Sequence, residues 1–74
     1  MKKRVLCLMA DGFEETELVT PVNVLRRAGV EVVIGAWQDG PRTSRGGIRM
    51  LPDVTLDAVK PEDFDLLLIP GGPG

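Results

Sequence analysis

One stretch constrains this chain more than any other. Arg4 to Gly29, RVLCLMADGFEETELVTPVNVLRRAG, runs from a strand pattern through an acidic turn into a helix pattern. Val5, Leu6, Cys7, Leu8 and Met9 form an unbroken apolar run, the signature of a strand covered on both faces in a parallel sheet. Asp11-Gly12 ends the run, and Glu14, Glu15 and Glu17 crowd the start of the helix. Leu18, Val22 and Leu25 then recur on one helical stripe, closed by Ala28, which predicts the face that covers the sheet. Gly29 suits the left-handed position just past a helix, and Arg26 and Arg27 suit its negative end. Pro21 has no N–H to offer the Glu17 carbonyl. Either the helix is kinked there, or Thr20 caps a helix that starts at Pro21.

Val30 to Trp37 reads as a second strand. The right-handed crossover rule makes it parallel to the first, giving a βαβ unit. Asp39-Gly40 turns the chain, and Arg42 to Arg45, Gly46-Gly47 and Ile48 to Leu51 read as a hairpin polar enough for a sheet edge. Leu56 to Val59 predicts one helical turn, and Asp65 to Pro70 a third parallel strand. That strand is apolar on both faces and is followed at once by Gly-Gly-Pro-Gly, which leaves a sheet edge unfinished. Seventy-four residues are also few for an α/β domain. Residues 1–74 are therefore expected to be the N-terminal part of one larger domain.

Composition removes several classes of function. The net charge is −2 with scattered Lys and Arg, so no basic stripe exists for nucleic acid. The apolar runs are too short to span a bilayer and no signal-peptide cleavage pattern is present, so a cytoplasmic protein without membrane contact is expected. One cysteine and no histidine leave neither an intrachain disulfide nor a Cys-His pair. No metal site and no cofactor are expected. Cys7 itself lies inside the apolar strand, where a thiol is an inert core residue. Trp37 and Phe64 are read as packing residues, and Met9 and Met50 as gap-fillers.

In open parallel sheets, ligands bind beyond the carboxyl ends of the strands where strand order reverses. With order second-first-third, the acidic loop Ala10 to Glu17 and the glycine loop Gly71 to Gly74 become neighbours there. Crowded carboxylates repel and burial disfavours their charge, so one of the three is expected to keep a proton near neutral pH. Glu14 and Glu15 are assigned to the helix dipole. Glu17, beside the Pro21 irregularity, is the candidate acid–base group. Backbone N–H groups at Gly71 and Gly72 are candidate oxyanion donors.

Two motifs in order, LMADGFEETELVTPVNVLRRAGVEV and DFDLLLIPGGPG, closely resemble the N-terminal part of the ThiJ/PfpI family. That resemblance implies a flavodoxin-like α/β sandwich, a homodimer, and a reactive cysteine on a strand-to-helix elbow. It matches Glu17 to the family's carboxylic acid, and Gly71 and Gly72 to its glycine pair. It also matches the first helix and Arg45 to Leu51 to the dimer interface. The elbow cysteine has no counterpart among these residues, and Cys7 does not match it. The remainder of the domain is then a partner required by the site, carried on the same chain or on a second one after a cut in the glycine loop.

The family's activities imply glyoxalase or deglycase action on 2-oxoaldehydes or their adducts. Three alternatives stay open: a redox-sensing chaperone-like stress protein, a peptidase, and a class I glutamine amidotransferase, whose oxyanion strand LLLIPGGPG also resembles. The acidic DGFEETE loop argues against the last. A receiver-type signalling domain is set aside, because Pro70-Gly71 stands where it needs an aspartate.

Overall fold

The computed structural model describes residues 3–71. In chain order its elements are β1 (Arg4–Leu8), α1 (Glu15–Arg27), β2 (Glu31–Ala36), β3 (Arg42–Thr43), β4 (Arg49–Met50), β5 (Val54–Thr55) and β6 (Leu66–Leu68). Short 3-10 turns at Leu56–Ala58 and Pro61–Asp63 join the last two strands. The main sheet has the order β5-β2-β1-β6, and every pairing in it is parallel. This is the α/β, flavodoxin-like parallel arrangement expected from the sequence. β1 lies between β2 and β6, and Val5, Leu6 and Cys7, which alternate between the two faces, are all buried, in keeping with its apolar composition.

The core follows from the two periodicities. Val5 and Cys7 of β1, with Met9 just past its end, alternate toward one face, where Leu18 and Val22 of α1 meet Val32 and Ile34 of β2. Leu25, Val30, Met50 and Leu68 pack around them, and Phe13 closes the top. Met9, Leu18 and Cys7 are the largest side chains with no exposed surface. Full burial of a side chain such as Leu18 stabilises by roughly 1.5–3 kcal/mol.

α1 runs without interruption from Glu15 to Arg27 and contains Pro21. The alternative in which Thr20 caps a helix starting at Pro21 is thereby excluded. Glu14 occupies the N-cap with extended backbone and no capping hydrogen bond from its side chain. At the other end Gly29 has φ +88°, its N–H donates to Arg26 O, and the Val30 N–H donates to Leu25 O. This pair of bonds is a Schellman ending, which needs the left-handed residue. Ala28 is the C-cap and is exposed, so it does not extend the apolar stripe.

Three features depart from the sequence reading. The β3–β4 hairpin forms a separate two-stranded antiparallel ribbon instead of lying at the sheet edge. Val54–Thr55, unassigned from sequence, pairs with Gly35 and Ala36 of β2. Asp53 leads into it and acts as a staple. Its backbone N–H donates to Ile34 O, while its Oδ2 accepts from the Ile34 N–H and from Arg26 Nη2, each at 2.8 Å. Arg26 Nη2 also donates to Val32 O. One carboxylate thus joins α1 to β2 where two residues of β5 offer little ladder.

No helix among the described residues is long and apolar enough to cross a membrane. Asp53→Ala leaves the Ile34 N–H without its acceptor and removes the Arg26 ion pair. In the full-length protein this should lower unfolding stability by about 1–3 kcal/mol, read as a lower urea midpoint at unchanged slope.

Candidate active site

The β1–α1 loop and the segment after β6 meet at the carboxyl edge of the sheet, because β6 pairs beside β1 with Cys7 opposite Leu68. Two hydrogen bonds tie them. The Glu14 N–H donates to Gly71 O at 2.8 Å. In return the Gly71 N–H donates to Glu17 Oε1 at 2.7 Å. A Cβ on Gly71 would stand 2.5 Å from that same oxygen, far inside van der Waals contact, so the approach depends on glycine. Gly72 lies outside the described residues.

The β3–β4 ribbon clasps the loop from the other side. The Gly12 N–H donates to Thr43 O and the Arg45 N–H to Phe13 O, both at 2.8 Å. Asp11 accepts from the Thr43 N–H at 3.0 Å and pairs with Arg42 Nη1 at 3.4 Å. Buried Ser44 donates through Oγ to Glu15 Oε1 at 3.1 Å, and that Oγ accepts from the Ile48 N–H. Glu14 Oε1 lies 3.5 Å from Arg45 Nε.

The carboxylates crowded in the sequence are therefore separated in space. Glu14 faces Arg45, Glu15 faces Ser44, and Glu17 faces Gly71. Glu14 and Glu15 fasten the ribbon to the helix start, a role beyond the dipole complement assigned to them from sequence. That fastening depends on the ribbon's three-dimensional position, which no local pattern in the chain announces.

A cavity of about 170 Å³ opens beside this junction, lined by Leu8, Asp11, Phe13, Trp37, Ile69 and Gly71, among others. Trp37 is 66% exposed and forms a wall of this cleft, which corrects its reading as a packing residue. Phe64 lies at the opposite end of the sheet, with the Arg4 guanidinium 4.7 Å above its ring. Cys7 is fully buried among the core side chains. Burial pushes its thiol up to about 11, partly opposed by the positive charge of Arg26. Among the described residues no group of His, Cys, Asp and Glu is arranged to hold a metal ion.

With this geometry in hand, comparison with known proteins is decisive. A profile of the DJ-1/PfpI family matches residues 3–74. The chain belongs to the DJ-1/PfpI family. It is 41% identical over 69 residues to a deglycase of Thermococcus kodakarensis, an alignment covering 93% of this chain and 42% of that protein. The dj-1beta protein of Drosophila melanogaster is 38% identical and is covered over 40% of its length. The crystal structure of Drosophila DJ-1beta superposes with a TM-score of 0.92 at 36% identity, over all of this chain and 40% of that one. Oxidized DJ-1 of Toxoplasma gondii superposes with a TM-score of 0.89 at 35% identity, over 96% of this chain and 39% of that one. The chain thus spans about two-fifths of the length of these relatives.

The Cys7 environment has two measurable consequences. At pH 8 Cys7 in the native full-length protein should resist iodoacetamide and become alkylated only after denaturation, as read by peptide mass spectrometry. Labelling of Cys7 in the native state would contradict the burial. The folded state also keeps this proton to about 11, whereas a free thiol releases it near 9.0. The folded state binds more protons between those values, so the Cys7 contribution to stability falls as pH rises through that window.

Proposed function

We propose that the full-length protein is a cysteine-dependent enzyme acting on 2-oxoaldehydes or their adducts, with Glu17 as its acid–base group. The observation that carries this reading is the Glu17 carboxylate held against Gly71 at the carboxyl edge of β1 and β6, where parallel sheets bind their ligands. Relatives named as deglycases support the choice of chemistry. The nucleophile comes from outside these residues, since the single cysteine is Cys7. A cytoplasmic setting, where thiols stay reduced, suits such an enzyme.

The proposed sequence of steps balances without an oxidant. A thiolate adds to the aldehyde carbon, forming a C–S bond while the carbonyl π pair moves to oxygen, which takes a proton from solvent. Glu17 removes the proton from that carbon and returns it to the neighbouring carbonyl carbon, while the hydroxyl proton passes to that carbonyl's oxygen, giving a 2-hydroxy thioester. Water then hydrolyses the thioester, releasing a 2-hydroxy acid and the free thiol. The oxyanion formed on the way needs backbone donors. Gly72 is our candidate, because the N–H of Gly71, the other candidate, is already committed to Glu17.

A second reading has one specific observation in its favour, the relative solved as oxidized DJ-1. In that reading the same carboxylate lies beside an oxidised sulfur and the protein acts as a redox sensor. Turnover of a 2-oxoaldehyde in the absence of oxidant separates the two.

We also propose a homodimer through α1 and Arg45 to Leu51. Val19, Ile48 and Leu51 are exposed apolar residues on these elements, Leu51 by 70%. Glu17→Gln in the full-length protein should abolish 2-oxoaldehyde turnover while leaving the thermal midpoint within a few degrees; wild-type turnover would eliminate Glu17 from the mechanism. Leu51→Glu should convert the dimer to monomer in sedimentation velocity, and an unaltered sedimentation coefficient would place the interface elsewhere.

A further inference from the structure

The junction between Gly71 and α1 contains more than a pair of neighbouring groups. From it we infer that Gly71 is a positioning residue for Glu17: its N–H holds Oε1 and leaves Oε2 as the oxygen that exchanges protons with substrate. This inference rests on the proposed role of Glu17 and goes beyond it by assigning different work to the two carboxylate oxygens.

Three observations carry it. The first is the bond itself, 2.7 Å from Gly71 N to Glu17 Oε1, in the range of a charge-assisted contact. An N–H donor occupied in this way has no second proton for a developing oxyanion, since each backbone N–H supplies one. The second is steric. A Cβ at position 71 would meet Oε1 at 2.5 Å and the carboxyl carbon at 3.3 Å, so any other residue displaces the whole carboxylate. The third is mechanical. Gly71 does not move independently of α1, because its carbonyl accepts the Glu14 N–H at 2.8 Å. The glycine is thus clamped through both faces of its backbone to the helix turn that carries Glu17.

The exposed Glu17 side chain has several rotatable bonds. Freedom of that kind is costly at a reacting centre, where a misplacement of about 1 Å removes up to about a hundredfold of rate. Fixing one oxygen restricts the carboxylate to rotation about a single anchored point. The free oxygen is then delivered to one position relative to the Gly71 backbone.

The test uses the full-length protein with phenylglyoxal as the 2-oxoaldehyde. Gly71→Ala should lower kcat by roughly tenfold to a hundredfold with KM changed less than about twofold. In a Glu17→Asp background, whose shorter side chain has already lost the anchor, the same Gly71→Ala change should cost less than about twofold, because residues acting as a unit are not additive. An equal loss in both backgrounds overturns the inference and makes Gly71 an independent donor. A second measurement needs no glycine variant and no turnover. In ¹⁵N-labelled protein the Gly71 amide proton should shift with pH as Glu17 ionises, and the shift should vanish in Glu17→Gln. A pH-independent Gly71 amide in the wild type overturns the anchor. Should Glu17→Gln retain full turnover, the acid–base reading fails and the division of labour between oxygens goes with it. Loss of turnover in Glu17→Gln without coupling to Gly71 overturns this inference alone.

Discussion

Burial of β1 is the constraint on which the rest of the chain depends. A strand whose side chains are covered on both faces of the sheet must be apolar throughout, and Val5, Leu6 and Cys7, all buried though they alternate between the faces, meet that demand. Once β1 is internal, the crossover through α1 and the return through β6 bring two loops to the same sheet edge. The junction of Glu17 and Gly71 is a product of this topology, since the two residues are 54 positions apart in the chain. Neither loop carries chemistry by itself.

The same constraint explains why Cys7 is not a reactive thiol. Its place on the core side of the central strand gives it close packing and no water. Desolvation raises its pKa, and a thiol without thiolate character is a poor nucleophile. Cys7 lies within the buried core, whereas the acidic loop and Gly71 meet at the carboxyl edge of the sheet.

Much of this architecture was legible in the sequence, and the reason is periodicity. The continuous run in β1, the spacing of Leu18, Val22 and Leu25, and the apolar DLLLIP segment each encode local structure in local composition. Gly29 and the glutamates marked the ends of α1, though Pro21 obscured where the helix begins. Illegible features were those whose stability is tertiary. β5 has two residues and owes its place to the Asp53 staple on β2 and α1. The β3–β4 ribbon is held by Asp11, Phe13, Glu14 and Glu15 rather than by its own alternation. Trp37 follows an apolar strand and so looked like core, yet it lies just past the end of β2, where the chain leaves the sheet. At the site, the neighbourhood of Glu17 and Gly71 was readable from strand order. Their direct bond was not.

The separation of the glutamates has a consequence for how the loop before α1 can change. Successive residues of an α-helix are rotated by about 100°, and Glu14, Glu15 and Glu17 at its start find their partners in three different directions. The length of the Ala10–Phe13 loop therefore sets a rotational phase. Inserting or deleting one residue there would turn the helix beneath its partners, sending a different side chain toward Gly71 and none of the three to its present mate. The apolar stripe resists that rotation, because Leu18 and Val22 would leave the core together. In this way the packing of the helix also keeps the angular index of the site.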